Sequence, residues 1–305
     1  MYLRLKDRLV ESYNKIKPKC CLISTSDKKY FHKLICLIAS IKDKFPDHPK
    51  IYIYDLGLTK IQIMELEGIK NLVVKKIPSF VNFFNLCFTW KPYTFLDTKE
   101  EITLHIDAGA LALRDFKNIF LSINKNGYFV AGQDQLYKDI TPEDYLNFAD
   151  IDINTFLNSN NFAGGFIGYK KNTPIHSAII KSLEYAKNGY FLGYSKSEMH
   201  RAKFDKEKIV RNCKVFRHDQ TLFGLFFFEC LNNKVNIRQQ LKYIGHVSNT
   251  ERPNQVFWMY RNRLDGLYKY ILKNNSSSLI AYLLNRIKFL IKFINIKFKS
   301  MYYEK

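Results

Sequence analysis

The chain has 305 residues, 47% of them hydrophobic and 15% aromatic, which is enough apolar material for one large α/β domain and excludes global disorder. Its 48 Lys and Arg against 28 Asp and Glu give a formal charge of +20, so an anionic partner is expected: nucleic acid, anionic lipid or a phosphorylated substrate. The bland alternative is an AT-rich coding bias that inflates Lys, Ile, Asn, Phe and Tyr.

The first segment, MYLRLKDRLVESYNKIK, is amphipathic and charged, and residues 1–18 are expected to form an N-terminal helix without the apolar stretch of a signal peptide. CCLISTS, Cys20 to Ser26, reads as a buried parallel strand running into a loop. Asp27 to Lys44 follows with Phe31, Leu34, Ile35, Ile38 and Ile41 at helical spacing, and Asp27 is the expected N-cap. KIYIYDLGL reads as a second strand, Thr59 to Glu67 as a short helix and LVVKKI as a third strand. Alternating strand and helix signals predict βαβ units and a mostly parallel sheet.

Further along, Phe88 to Thr98 reads as a helix, Glu101 to Ile106 as a strand that breaks at Asp107–Ala108–Gly109, and Tyr128 to Gln133 as another strand. Asn161 to Lys171 is a strand with three glycines, 174–189 and 217–230 are helices, and 242–249 is a last strand. The polar segments 134–160 and 190–216 have weak periodicity and read as a lid or acceptor loops. Residues 279–299, LIAYLLNRIKFLIKFINIKFK, form a basic amphipathic tail suited to an anionic interface but too charged to span it. Lys stems snorkelling over the domain surface are the alternative. No apolar run reaches the roughly 18 residues a spanning helix needs. The six cysteines contain no Cys-x-x-Cys pair, which argues against a zinc site and for a reducing compartment.

The strongest chemical signal is LHIDAGALALRDF. A strand ending in Asp107 sets a carboxylate at the carboxyl edge of a parallel sheet, where open α/β sheets bind ligands. Such a carboxylate can hold a divalent cation; it can also simply close an Asx turn. Gly109 would let a phosphate or sugar approach the backbone. GxSxG, P-loop, HExxH and GxGxxG motifs are all missing.

YDLGLT, WKPY, HIDAGALALRD, NFAGGFIGYKK and HDQTLF occur in this order, and in that order they resemble GT-A glycosyltransferases, closest to family-8-type galactosyl- and glucosyltransferases and related bacterial enzymes. The resemblance covers about residues 19–250. It implies a GT-A catalytic domain there; the basic amphipathic composition of the tail suggests a helical, membrane-associating region over 251–305. It implies transfer of a hexose from a nucleotide-sugar, a UDP-sugar by preference, to a glycan or lipid-linked glycan, with retention of configuration. The setting would be bacterial surface polysaccharide or lipooligosaccharide synthesis at the cytoplasmic face of the membrane.

Residue by residue, the family's Asp-x-Asp metal motif falls on Asp107 and Gly109, so the second carboxylate is missing. The family's late histidine ligand falls on His246. A Mn²⁺ or Mg²⁺ site of Asp107, His246 and diphosphate oxygens is one outcome; metal-free neutralisation by Lys or Arg is the other. Thr25 and Ser26 correspond to the nucleotide loop, although helix capping explains them equally. Lys91 corresponds to a basic residue facing the donor phosphates. Gly164 and Gly165 would make room for a hexose, or mark a plain bulge. Asp219, with Gln220 second, would contact the donor sugar near its anomeric carbon, or cap the following helix. Arg252, Arg261 and Arg263 are candidates for a closing lid or a membrane patch. Two rival classes stand beside this reading. One is an inactive GT-A-like scaffold that binds glycan or membrane. The other is a nucleic-acid-binding protein, disfavoured because the aromatics lie in core-like runs.

Overall fold

CCLISTS is buried at every position, as the central strand of a sheet covered on both faces must be. The computed structural model describes residues 2–192, 213–237, 243–246 and 255–259, and of residues 2–6, 134, 245 and 246 it describes the backbone alone. The strands are β1 (Cys20–Ser26), β2 (Lys50–Asp55), β3 (Leu72–Lys76), β4 (Ile102–Ile106), β5 (Ala110–Ala112), β6 (Tyr128–Leu136), β7 (Asn160–Lys170), β8 (Ile244–His246) and β9 (Phe257–Met259). The helices are α1 (Tyr2–Ile16), α2 (Phe31–Lys44), α3 (Lys60–Glu67), α4 (Lys91–Leu96), α5 (Lys117–Asn126), α6 (Ile153–Leu157), α7 (Pro174–Lys187) and α8 (His218–Cys230).

Six strands form one sheet in the order β3-β2-β1-β4-β7-β6. The β1–β2, β2–β3 and β1–β4 pairs are parallel, and β7 pairs antiparallel with both β4 and β6. Only β7 is therefore reversed, and the mostly parallel α/β sheet expected from the sequence is present. β5, β9 and β8 make a small second sheet just beyond the carboxyl end of β4.

The helices divide between the faces. One apolar layer joins Leu34, Ile38, Leu66, Phe116 and Phe120 to Leu22, Ile51 and Leu104. The other joins Phe95, Ala178, Phe223 and Phe226 to Ile23, Tyr52 and Ile167. α8 is buried continuously from His218 to Phe228, which explains a helix apolar on every side.

Several boundaries differ from expectation. α2 begins at Phe31, because the Asp27 carboxylate accepts from the backbone N–H groups of Lys29 and Tyr30 in a turn ahead of the helix. α4 is confined to Lys91–Leu96. The segment 134–160 is not a free lid: Tyr137, Ile140, Tyr145 and Phe156 are fully buried. Tyr137 packs where a side chain at Gly224 of α8 would stand. Residues 193–212, most of the other expected acceptor loop, lie outside the described residues, as do the tail from 260 onward and Arg252, Arg261 and Arg263. No described helix is long and apolar enough to cross a membrane.

Candidate active site

The site grows out of the alternation of β4. Ile102, Leu104 and Ile106 point into one apolar layer, so Thr103, His105 and the residue that follows the strand, Asp107, share the other face. Asp107 is fixed through its main chain: its N–H donates to Gly165 O (2.9 Å) and its carbonyl accepts from Ala110 N–H (3.0 Å). Its carboxylate accepts from His105 Nε2–H, 2.9 Å from Oδ1. A carboxylate only accepts, so the proton sits on Nε2, and among the described residues the buried Nδ1 has no partner. The His105 ring is fully buried with Phe95 5.5 Å and Trp90 6.4 Å away, centre to centre. Burial pushes its pKa down more than Asp107 pulls it up, which keeps the imidazole neutral.

Lys91 opens α4 and is 1% exposed. Its Nζ lies 2.5 Å from Asp219 Oδ2, 2.7 Å from Gly164 O and 3.9 Å from Asp107 Oδ1. Burial acts to lower its pKa, but the charges of Asp219 and Asp107 more than offset it and the net direction is up. For Asp107, burial would raise the pKa; the Lys91 charge and the His105 hydrogen bond outweigh it and hold the carboxyl well below the usual range. The ammonium therefore bridges two carboxylates, and the cluster carries one net negative charge.

Gly164 and Gly165 make this arrangement possible. A Cβ at Gly164 would stand 2.7 Å from Asp219 Oδ2, and one at Gly165 would stand 2.4 Å from Asp107 Oδ2. The expected space for a hexose at these two α-carbons is filled by the chain's own carboxylates. Asp219 sits in the first turn of α8, next to Gln220, whose Nε2 donates to Phe162 O (2.7 Å) and Gln133 Oε1 (3.2 Å).

These residues line a cavity of about 280 Å³, near the lower end of the roughly 300–1,000 Å³ of small-molecule sites. The lining mixes polar side chains, Lys91, Asp107, Gln133, Asp219 and Gln220, with apolar ones, Phe88, Val215, Phe216, Ile244 and Met259; Lys91 Nζ lies 5.0 Å from the Phe88 ring centre, and Arg217 is exposed at the edge. Phe88 is 41% exposed on a left-handed backbone (φ 65°), following Cys87 at φ 45°. Bulky residues hold that conformation only where the surroundings impose it.

Of the residues singled out in the sequence, Lys91, Asp107, Gly164, Gly165, Asp219 and Gln220 converge on this cavity. Thr25 and Ser26 do not line it. They end β1 buried, beside β4 at the same sheet rim, with Ser26 Oγ donating to Asp27 O. Gly109 stands in the turn after Asp107 with open space at its α-carbon. His246 pairs with Met259, which pairs with Ala110, so its backbone is two strand spacings, about 10 Å, from Ala110. Its side chain lies outside the described residues. The sequence reading missed His105, Phe88, Gln133, Phe216 and Arg217. Only His105 carried a usable signal, its position two residues before Asp107 on a strand.

The residues present do not fit the divalent cation that the resemblance implies. Gly109 supplies no donor, and among the described residues no three His, Cys, Asp or Glu side chains group to hold a metal ion. The one carboxylate at the expected position already receives His105 and faces an ammonium.

No protein-family model and no curated protein matches the chain. Three solved structures that resemble it are glycosyltransferases. One is the galactosyltransferase LgtC in complex with donor and acceptor sugar analogues: 12% identity, TM-score 0.47, 85% of this chain and 97% of that one. Another is the bifunctional glycosyltransferase WbbM: 12% identity, TM-score 0.48, 80% of this chain and 46% of that one. An active-site mutant of LgtC aligns at 13% identity and TM-score 0.47 over 79% of this chain and 87% of that one.

Proposed function

We propose that this chain is a GT-A glycosyltransferase that moves a hexose from a nucleotide-sugar, preferably a UDP-sugar, to a glycan or lipid-linked glycan. The observation that carries the reading is the Lys91–Asp219–Asp107 cluster seated on Gly164–Gly165 at the carboxyl rim of the sheet. Open α/β sheets bind ligands at that rim. A cavity lined by both apolar and hydrogen-bonding side chains suits a sugar ring, which presents C–H groups on its faces and hydroxyls at its edge.

In this reading Asp219 and Gln220 orient the donor hydroxyls, and Lys91 holds Asp219 in place. Arg217 supplies positive charge toward the leaving diphosphate. The enclosed volume matches the sugar rather than the nucleotide, which would extend over the rim past Thr25 and Ser26. Phe88 and Phe216 offer aromatic faces to the acceptor side.

Retention of configuration is the expected outcome. Inversion needs a base near the acceptor oxygen with basicity matched to its task. Asp107 is held too acidic for that work, and Asp219 is paired with an ammonium. The acceptor would belong to bacterial surface polysaccharide or lipooligosaccharide synthesis at the inner face of the membrane. The basic composition and the tail sequence support that setting.

The test is turnover of a panel of UDP-sugars, read as UDP release with and without candidate acceptors. Wild type is expected to turn over at least one donor, and Asp219→Ala to lose on the order of a hundredfold. A wild type inert toward every common donor would favour the inactive scaffold instead. Binding to anionic but not neutral liposomes tests the membrane setting.

A further inference from the structure

We infer that this site works without a divalent cation, with the Lys91 ammonium and the His105 Nε2–H standing against Asp107 where a metal ion would otherwise bind. The inference rests on the nucleotide-sugar reading above for its chemical meaning, but its argument is geometric.

Three observations on separate elements converge. Gly109 stands two residues after Asp107 and brings no side-chain ligand atom, although a Cβ at its α-carbon would meet nothing within 4 Å. Asp107 Oδ1 accepts from His105 Nε2–H at 2.9 Å, and the Lys91 ammonium stands 3.9 Å from the same oxygen as an ion-pair neighbour. Asp107 Oδ2 lies against the bare α-carbon of Gly165, so the carboxylate is lodged on β7 as well as on β4. A metal site needs several deprotonated ligands together. Here a single carboxylate stands beside a fixed ammonium, and the second carboxylate of the motif is missing.

The positive charge that a metal ion would bring to a diphosphate comes here from Arg217 at the mouth of the same cavity, while Lys91 offsets the carboxylates of Asp107 and Asp219. The role of Asp107 changes accordingly. It holds Lys91 from one side while Asp219 holds it from the other, so the ammonium stays between donor hydroxyls and phosphate.

The experiment measures two bindings on the full chain by calorimetry: Mn²⁺ alone, and UDP in EDTA or in Mn²⁺. Wild type is expected to show no Mn²⁺ binding, and UDP affinities within about threefold of each other in the two buffers, well under the tenfold that 1.4 kcal/mol of metal bridging gives. Gly109→Asp, which restores a second carboxylate in open space, is expected to gain Mn²⁺ binding and a Mn²⁺-dependent rise in UDP affinity of about tenfold or more. Asp107→Asn in that background should abolish both gains.

Mn²⁺ binding by wild type that Asp107→Asn removes would overturn the inference, as would a tenfold Mn²⁺ enhancement of UDP binding in wild type. If wild type binds UDP in neither buffer, the nucleotide-sugar reading fails, and the Mn²⁺-alone arm still decides whether Asp107 is a metal ligand.

Discussion

On β4 the two faces of the sheet can be compared one residue at a time. Ile102, Leu104 and Ile106 enter an apolar layer in which the Ser40 hydroxyl is fully used: it donates to Leu37 O and accepts from Ala112 N–H. Thr103, His105 and Asp107 enter the opposite layer, which buries Lys91 and Asp219; among the described residues His105 Nδ1 and Thr89 Oγ1 have no partner, and neither has Ser24 Oγ on the first face. An unsatisfied buried polar atom costs about 1–3 kcal/mol. One strand thus serves both stability and chemistry, and it separates them by its twofold alternation.

The largest way to break the comparison is Lys91→Ala. It strands Asp219 in the interior without its cation, and loss of one partner of a buried pair costs about 3–5 kcal/mol. Urea denaturation should show that loss, together with disappearance of donor turnover. A milder test sets neighbours against each other. Leu104→Ala should destabilise by about 2–5 kcal/mol and leave UDP affinity unchanged at temperatures where the fold persists. His105→Leu is close in volume and removes the orphaned nitrogen, so stability should change by less than about 1.5 kcal/mol. Turnover should fall by roughly a hundredfold, because Asp107 loses the donor that orients it. Equal stability losses from both substitutions would dissolve the distinction between the faces.

The smallest effect is on pH dependence. The folded pKa of Asp107 lies below its unfolded value, so its contribution to stability is present above the ordinary carboxylate range near pH 4 and is lost as pH falls below it. Asp107→Asn should remove that contribution, so its thermal stability profile should converge on that of wild type toward about pH 2.

Much of the scaffold was legible in advance. Unbroken apolar runs announce β1 and β2, and 3.6-residue spacing announces α2 and α7, because burial on both faces and burial on one face leave different periods. The site was half legible. Asp107 and Asp219 could be nominated because a carboxylate at a strand end or helix start is visible locally. That they share one ammonium was not, since Lys91 and Asp219 are 128 positions apart. Gly164 and Gly165 were noticed for the right reason, a close approach, but the approaching groups are side chains of the chain itself. The segment 134–160 looked like a loop because its anchors, Tyr137, Tyr145 and Phe156, fall at no regular spacing; three-dimensional packing alone gives them meaning.

The small sheet has one more consequence. β5 begins three residues after Asp107 and pairs with β9, and Leu113 N–H donates to Val256 O (2.8 Å). The turn carrying the carboxylate is therefore moored by residues that leave the ribosome nearly 150 positions later. A nascent chain can assemble all six strands of the main sheet once residue 170 has emerged, yet the rim beyond β4 is not closed until residue 259 arrives.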